Sequence, residues 1–423
     1  MPATGRLALF GGEPAITLDQ SEAAQWPIVE QEELDAVADV VQSGQWSHHP
    51  VREALEQEFA DYIGVQYALA HNNGTAALHA CTHALGLGPG DEVITPSATY
   101  WATAAPILSV GAIPVFADVD PTFLNLDPED TARKITERTK AIMLVHWAGM
   151  PCELDAFVDL AQQHGLKLIE DASHAHGATY RGRKIGSWGD VAGFSVQSSK
   201  VMPAGEGGIF VTDEREYFER AVLLGHYARI KDLPDEQDQR FQHTGYGFKY
   251  RISPVNAALG RASLRKLDER NARRNAGIQY LDDQLSEIPG LTAPPVPDYI
   301  ERVYYIPGSL LYDPDDLGGL PVDRFVEAFQ AEGARILGGT QLRHHGGLHT
   351  QPLFVEHRHW AFEHPDNAES TARVQYGAGT LPVSDNPPVN RITLPRLPHP
   401  TQELLDQYVT AARKVATHAG ELL

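Results

Sequence analysis

From Glu32 to about Thr212 the chain alternates amphipathic stretches of helical period with short, almost wholly apolar runs. EELDAVADVVQSG, VREALEQEFADYIG, TAALHACTHALG and LDAFVDLAQQHG each space their apolar residues for one helix face and end at or near a glycine, as helix C-termini often do. Between them lie EVIT at 92–95, IPVFA at 113–117, AIMLV at 141–145, LKLIE at 166–170 and GGIFVT at 207–212, which read as buried strands. This alternation predicts an α/β fold, a large domain whose mostly parallel sheet is covered by helices. Sheets of this kind bind ligands beyond the C-terminal ends of their strands, so chemistry is expected just after these runs.

The alternation weakens after about Pro254. A long helical stretch over 255–290 leads into PGLTAPPVPD, whose prolines mark a boundary. The remainder, 291–423, shows a few strand-like runs, a helix near VDRFVEAFQAEG and a closing helix at TQELLDQYVTAARKVATHA, which together suggest a smaller C-terminal α+β domain. Residues 1–254 are then the N-terminal segment and large domain, joined to the small one by the helical region. Val93 to Ala117 is uncharged and long enough to suggest a membrane span, but Pro96, Pro106, Gly111 and Pro114 break it. A strand, a loop, a short helix and a second strand fit it better.

Charge narrows the partners. With 34 Lys+Arg against 56 Asp+Glu the formal charge is −22, which removes a basic nucleic-acid face as the default. The two cysteines, Cys81 and Cys152, cannot form a disulfide framework. The opening MPATGRLALFGGEP lacks the cationic start and apolar core of a secretory signal, so the expected location is the cytoplasm, with neither membrane nor nucleic acid as partner. His344, His345, His349, His357, His359 and His364 crowd into 21 residues, yet without cysteine partners or an HExxH acid they predict no metal site.

Four features follow the strand-like runs. In NNGTAALHA, Gly74 and Thr75 open a helix after YALAH, where free N–H groups and the positive dipole end suit a phosphate; an ordinary helix cap has the same sequence. LKLIEDASHAHG carries Asp171 to the rim of the sheet, as a partner for a pyridinium nitrogen or equally as an N-cap or structural ion pair. GFSVQSSK offers Ser195 and Lys200, a lysine among small and polar residues that can form a Schiff base or lie solvated on the surface. PSATYWATAAP places Tyr100 after EVIT, to cover a flat cofactor or to pack in a core. Together, a phosphate cradle, a strand-end acid and a lysine 29 residues beyond it are what pyridoxal 5′-phosphate requires.

Over essentially its whole length the chain resembles the DegT/DnrJ/EryC1/StrS group of sugar and cyclitol aminotransferases. The resemblance is carried by GTAAL, PSATYWATAA, EDASHAHGA, GFSVQSSK with AGEGG, GFKYRISPVNAALG, LHTQPLF and LPRLPHPTQELLDQY. It implies the aspartate aminotransferase type of fold (PLP fold type I) and pyridoxal 5′-phosphate as cofactor. By this resemblance Lys200 forms the imine, Asp171 pairs with the ring nitrogen, Tyr100 stacks on the ring, and Gly74, Thr75 and Ser195 hold the phosphate. Lys249 stands where the family reaches the phosphate of a neighbouring subunit, usually with asparagine, which implies a homodimer with shared active sites. His174 replaces the usual glutamine three residues after the aspartate, able to reach the cofactor's phenolic oxygen and also to titrate near neutral pH. His146-Trp147-Ala148-Gly149 replaces an H-L-Y-G stretch of the substrate pocket.

The opening LALFGGEP and WPIVEQEELDAVADVVQSGQW resemble members acting on keto-cyclitols such as scyllo-inosose, with glutamine or glutamate as donor. His349, His146 and the segment from Trp46 to His49 are then the polar candidates for substrate, and Arg251 and Arg396 for the donor's carboxylate. Alternatives are a nucleotide-linked keto-sugar as substrate, a dehydratase, which Lys200 opposes because there a histidine replaces the lysine, and a non-catalytic protein of the same fold.

Overall fold

The computed structural model describes residues 5–306, 309–338 and 346–423. Helices of seven or more residues are α1 (Gln31–Ser43), α2 (Val51–Ile63), α3 (Gly74–Ala84), α4 (Trp101–Ser109), α5 (Pro128–Lys134), α6 (Leu154–His164), α7 (Arg215–Gly225), α8 (Pro254–Arg265), α9 (Leu267–Leu285), α10 (Val322–Ala331) and α11 (Gln402–Thr417). The chain lays down β1 (Tyr67–His71), β2 (Glu92–Pro96), β3 (Ile113–Ala117), β4 (Thr139–Val145) and β5 (Lys167–Asp171), diverts through the short pair β6 (Thr179–Tyr180) and β7 (Arg183–Lys184), and returns with β8 (Val191–Ser195) and β9 (Gly208–Thr212). The central sheet has the order β1-β9-β8-β5-β4-β2-β3, and only β9 runs against the rest.

Strand side chains alternate between two cores, as a period of two demands. Ala68, Ala70, Ile142, Leu144, Leu168 and Ile209 enter one, with Leu55 and Phe59 of α2 and Leu154 and Phe157 of α6. Leu69, Met143, Ile169 and Phe210 enter the other, with Ala77, Cys81 and Ala84 of α3 and Val222 of α7. The uncharged run from Val93 to Ala117 is β2, a loop, α4 and β3, and no described helix is long and apolar enough to cross a membrane.

β8 is the central strand that the apolar runs do not predict. Its middle is small because α3 lies against it: a Cβ on Gly193 would come 2.7 Å from Leu78 Cδ2. The long helical stretch is also two helices, not one. Lys266, at φ −101° and ψ 1°, breaks it between α8 and α9, and its ammonium is drawn to Glu30 and Glu33 at the start of α1.

The smaller unit is a four-stranded antiparallel sheet of β10 (Leu291–Thr292), β12 (Ser309–Tyr312), β14 (Arg391–Thr393) and β13 (Leu337–Gly338). Leu310 and Ile392 of that sheet pack on Leu281, Phe325, Phe329 and Tyr408 from α9, α10 and α11. β11 (Ile300–Glu301) instead joins β6 and β7. At two places the packing does not follow the boundaries read from the sequence. Leu7, Ile16 and Ala23 lie in the smaller core, whereas Leu348, Phe354, Phe362 and Leu381 pack on α4 and β3 at the edge of the large sheet.

The N-terminal strap is fixed by a buried carboxylate. Glu332, fully buried, accepts the backbone N–H of Ala8 at 2.8 Å and of Ala15 at 2.9 Å, and pairs with Lys414 Nζ at 2.8 Å. Removing one partner of a buried pair strands the other's charge, at about 3–5 kcal/mol. Glu332→Ala is therefore expected to lower unfolding free energy by about that amount, with proteolysis advancing first at residues 5–20. Denaturant melts and limited digestion check both.

Candidate active site

Residues that the resemblance assigned to a cofactor lie at the C-terminal ends of β1, β2, β5 and β8. β1 runs into Asn73, whose side chain accepts from Ala76 N–H at 2.8 Å and caps α3. The N–H groups of Gly74 and Thr75, ahead of that capped position, have no partner among the described residues. A Cβ on Gly74 would sit 2.7 Å from Ser195 Cβ at the end of β8, so glycine is what lets the two strand ends close into one cradle. Such a helix start with free donors, faced by a hydroxyl, fits a phosphate.

Between these ends stands β5. Glu170 and Asp171 point to opposite faces. Glu170 is fully buried and receives His146 Nε2 at 3.0 Å and the N–H groups of Gly186, Trp188 and Gly189 at 2.9, 2.8 and 2.7 Å. Burial pushes its pKa up, but His146 and these backbone donors outweigh that and hold it below the ordinary 4.5. Asp171 accepts from Thr103 Oγ of α4 at 2.8 Å and from Ser173 N–H at 3.2 Å.

After β8 the turn closed by Lys200 N–H on Gln197 O at 2.8 Å carries Lys200, and Trp26 Nε1 holds the lysine's carbonyl at 3.1 Å. Lys200 Nζ lies 3.4 Å from the Tyr305 hydroxyl. The Tyr305 ring stacks on His174 with centroids 4.3 Å apart, and the Arg396 guanidinium lies 4.6 Å from the same ring. Trp147 meets His174 edge-on at 5.3 Å. Burial first, then the charges of Lys200 and Arg396, hold His174 well below the ordinary 6.5. It is therefore a neutral imidazole, not a group titrating near neutrality. Its buried Nδ1 has no partner among the described residues, an orphan that a ligand oxygen would satisfy.

A family profile described as the DegT/DnrJ/EryC1/StrS aminotransferase family matches residues 27–411. The chain belongs to that family. As an aminotransferase it is 38% identical over 360 residues to an L-glutamine:scyllo-inosose aminotransferase of Streptomyces griseus, covering 82% of each chain. It is 35% identical over 413 residues to an L-glutamine:2-deoxy-scyllo-inosose aminotransferase of Streptoalloteichus tenebrarius, covering 94% of this chain and 95% of that one. Among solved structures it matches 3-amino-5-hydroxybenzoic acid synthase with a TM-score of 0.74 at 29% identity, over 97% of this chain and 100% of the other. The fold is that of the PLP fold type I aminotransferases.

Two histidines of this aminotransferase read as substrate contacts are corrected by the geometry. His146 is fully buried, with Nε2 on Glu170 and Nδ1 accepting Cys152 N–H at 3.1 Å. His349 is likewise buried, with Nδ1 2.6 Å from Ser97 Oγ and Nε2 3.1 Å from Asp385 Oδ1. Neither ring has a free nitrogen for a substrate. His359 and His364 cap short helical turns, His357 stacks on Phe362, and His344 and His345 lie outside the described residues.

Tyr100 is 57% exposed, its ring against Trp101 at 5.2 Å, and Lys249 is exposed with no partner among the described residues. Trp46 is exposed with its indole on Val41 O, and His49 Nδ1 accepts Val51 N–H. Of the two arginines, Arg396 joins the cluster around Lys200, whereas Arg251 sits beside β1 in a bridge to His71. Tyr305 and Thr103 are the site residues that sequence reasoning missed. Tyr305 stands in ERVYYIP, beyond the helical linker, where no local pattern marks it.

Glu170 yields a pH signature. Because its folded pKa is depressed, its contribution is complete above its ordinary 4.5 and is lost as pH falls through the folded value. Glu170→Gln is expected to lose about 3 kcal/mol at pH 7, with the deficit shrinking below pH 4.5. Paired urea melts of the two proteins from pH 7 downward check this, and a deficit constant with pH would contradict it.

Proposed function

We propose that this chain is a pyridoxal 5′-phosphate-dependent aminotransferase that moves an amino group from glutamine or glutamate to a scyllo-inosose-like keto-cyclitol, in the making of aminocyclitols and aminoglycoside antibiotics. The observation that carries it is that a phosphate cradle at the start of α3, a strand-end carboxylate and Lys200 all follow the C-terminal ends of strands in one sheet, in a chain related to two scyllo-inosose-type aminotransferases.

In this reading Gly74 and Thr75 N–H and the Ser195 hydroxyl would hold the phosphate, Asp171 would pair with the ring nitrogen, His174 Nδ1 would serve the phenolic oxygen and Tyr100 would cover the ring. When bound, the cofactor supplies an aldehyde to carry the amino group and a ring that takes up the electron pair of a broken C–H bond. Lys200 takes the proton from the donor's Cα and returns it on the acceptor side. Thr103 fixes one Asp171 oxygen and Ser173 N–H the other, and the second lone pair of either oxygen would serve the ring nitrogen. Arg396, beside Lys200 across the Tyr305 ring, receives the donor's carboxylate. A neutral polyol is held by hydrogen bonds, for which the segment from Trp46 to His49 remains the candidate. The charge of −22 gives a nucleotide diphosphate no long-range attraction.

Lys249 works in this proposal on a second copy of the chain, as an exposed ammonium beside the exposed rings of Tyr246 and Phe248. The working unit is then a cytoplasmic homodimer whose sites are shared.

Three outcomes are expected. The purified protein absorbs in the visible, and Lys200→Ala loses that band; a colourless wild-type protein after incubation with the cofactor would favour a non-catalytic role. In competition with glutamine as donor, scyllo-inosose is aminated ahead of a nucleotide-linked keto-hexose, and the reverse order would move the substrate to nucleotide sugars. Mixing inactive Lys200→Ala with inactive Lys249→Glu regenerates activity, since one hybrid site carries both intact lysines; no recovery with subunit exchange verified counts against shared sites.

A further inference from the structure

Tyr305 gathers four side chains around one ring. Its hydroxyl is 3.4 Å from Lys200 Nζ and 3.2 Å from Ser199 Oγ, its ring stacks on the His174 imidazole at 4.3 Å, and the Arg396 guanidinium and Lys200 Nζ each lie 4.6 Å from the ring centroid. The residue is 9% exposed. A phenol with no task beyond packing would have no need to seat its oxygen between a lysine and a serine. Lys200 itself has no other side-chain hydrogen-bond partner among the described residues, so this hydroxyl is what anchors its amine.

Resting on the reading of Lys200 given above, we propose that Tyr305 is a positioning residue for the reaction: its oxygen accepts an N–H of the free Lys200 amine and parks the amine in the site between chemical steps. A lysine side chain has about 2 kcal/mol of rotamer freedom to lose, and an amine released during turnover would otherwise sample it. Ser199 Oγ meets the same oxygen at 3.2 Å, and either hydroxyl can be the donor. The stack on His174 keeps the ring from turning, and the Arg396 cation 4.6 Å from its centroid ties the same ring to the donor-carboxylate position. One side chain thus sets the distance between the proton carrier and the proposed carboxylate anchor. Burial pushes the phenol's pKa up, but Lys200, Ser199 and Arg396 outweigh it and leave the oxygen more acidic than ordinary tyrosine, hence a ready partner for a cation.

The test uses the reactivity of the amine as well as turnover. In cofactor-free protein, Lys200 is labelled with trinitrobenzenesulfonate at one fixed pH and quantified by peptide mass spectrometry. An amine held by an acceptor reacts more slowly than one free to turn, so in Tyr305→Phe the labelling rate is expected to rise about threefold. Tyr305→Gln, which restores an acceptor without the ring, brings it part of the way back. In the loaded enzyme Tyr305→Phe lowers kcat about tenfold with the donor's KM unchanged. An unchanged labelling rate in Tyr305→Phe, or a rate in Tyr305→Gln raised further than in Tyr305→Phe, overturns the proposal. Thermal melts of both variants separate either result from unfolding. Loss of the visible band in Lys200→Ala is independent of Tyr305, so a failure here leaves the role of Lys200 standing, whereas a Lys200→Ala protein that keeps the band removes both.

Discussion

Glu170 is a carboxylate with no access to water, one residue from the end of the buried strand β5, and much of the site's geometry follows from satisfying it. A lone buried charge would cost several kcal/mol. Here His146 from the end of β4 and three backbone N–H groups from the loop before β8 close around it. Those donors come from the segments flanking β5, so meeting them fixes how β4, β5 and β8 end relative to one another. Alternation along the strand then sends the next residue, Asp171, to the opposite face, where Thr103 meets it. The structural acid and the proposed functional one are adjacent in sequence and are separated by a single pleat.

The same neighbourhood shows histidines used as uncharged spacers. His174 is depressed by burial and by the cations of Lys200 and Arg396, and His176 is pushed down to about 3 by burial and Lys200. A site that gathers two cations can seat imidazoles beside them only as neutral rings, which leaves ring nitrogens such as His174 Nδ1 as acceptors or donors of one hydrogen bond with no charge.

Much of this was legible in the residues because parallel strands buried on both faces are written as short apolar runs, and because the helices between them carry a plain amphipathic period and glycine ends. β8 escaped for a physical reason: its central Gly193 is bare because α3 lies against it, so the strand lacks the bulk that marked its neighbours. Asp171 and Lys200 could be picked out because strand ends collect chemistry. His146 and His349 misled because a polar residue type says nothing of whether its nitrogens are already engaged. Tyr305 was invisible since its meaning comes from a contact with Lys200 across more than a hundred positions of chain, and nothing local in ERVYYIP encodes that meeting.

The socket that receives the N-terminal strap has a consequence for how the molecule is made. Glu332 and Lys414, with the α11 residues Leu404 and Tyr408, form the surface on which Leu7 and Ile16 come to rest. During synthesis this surface is completed only when α11 has left the ribosome, roughly 20 to 80 s after the strap at usual elongation rates. For that interval the strap has nowhere to dock, while the large sheet, whose strands all lie within 67–212, has every strand in hand. The strap is therefore made before the sheet but ordered after it, and its docking reports that α11 has been made.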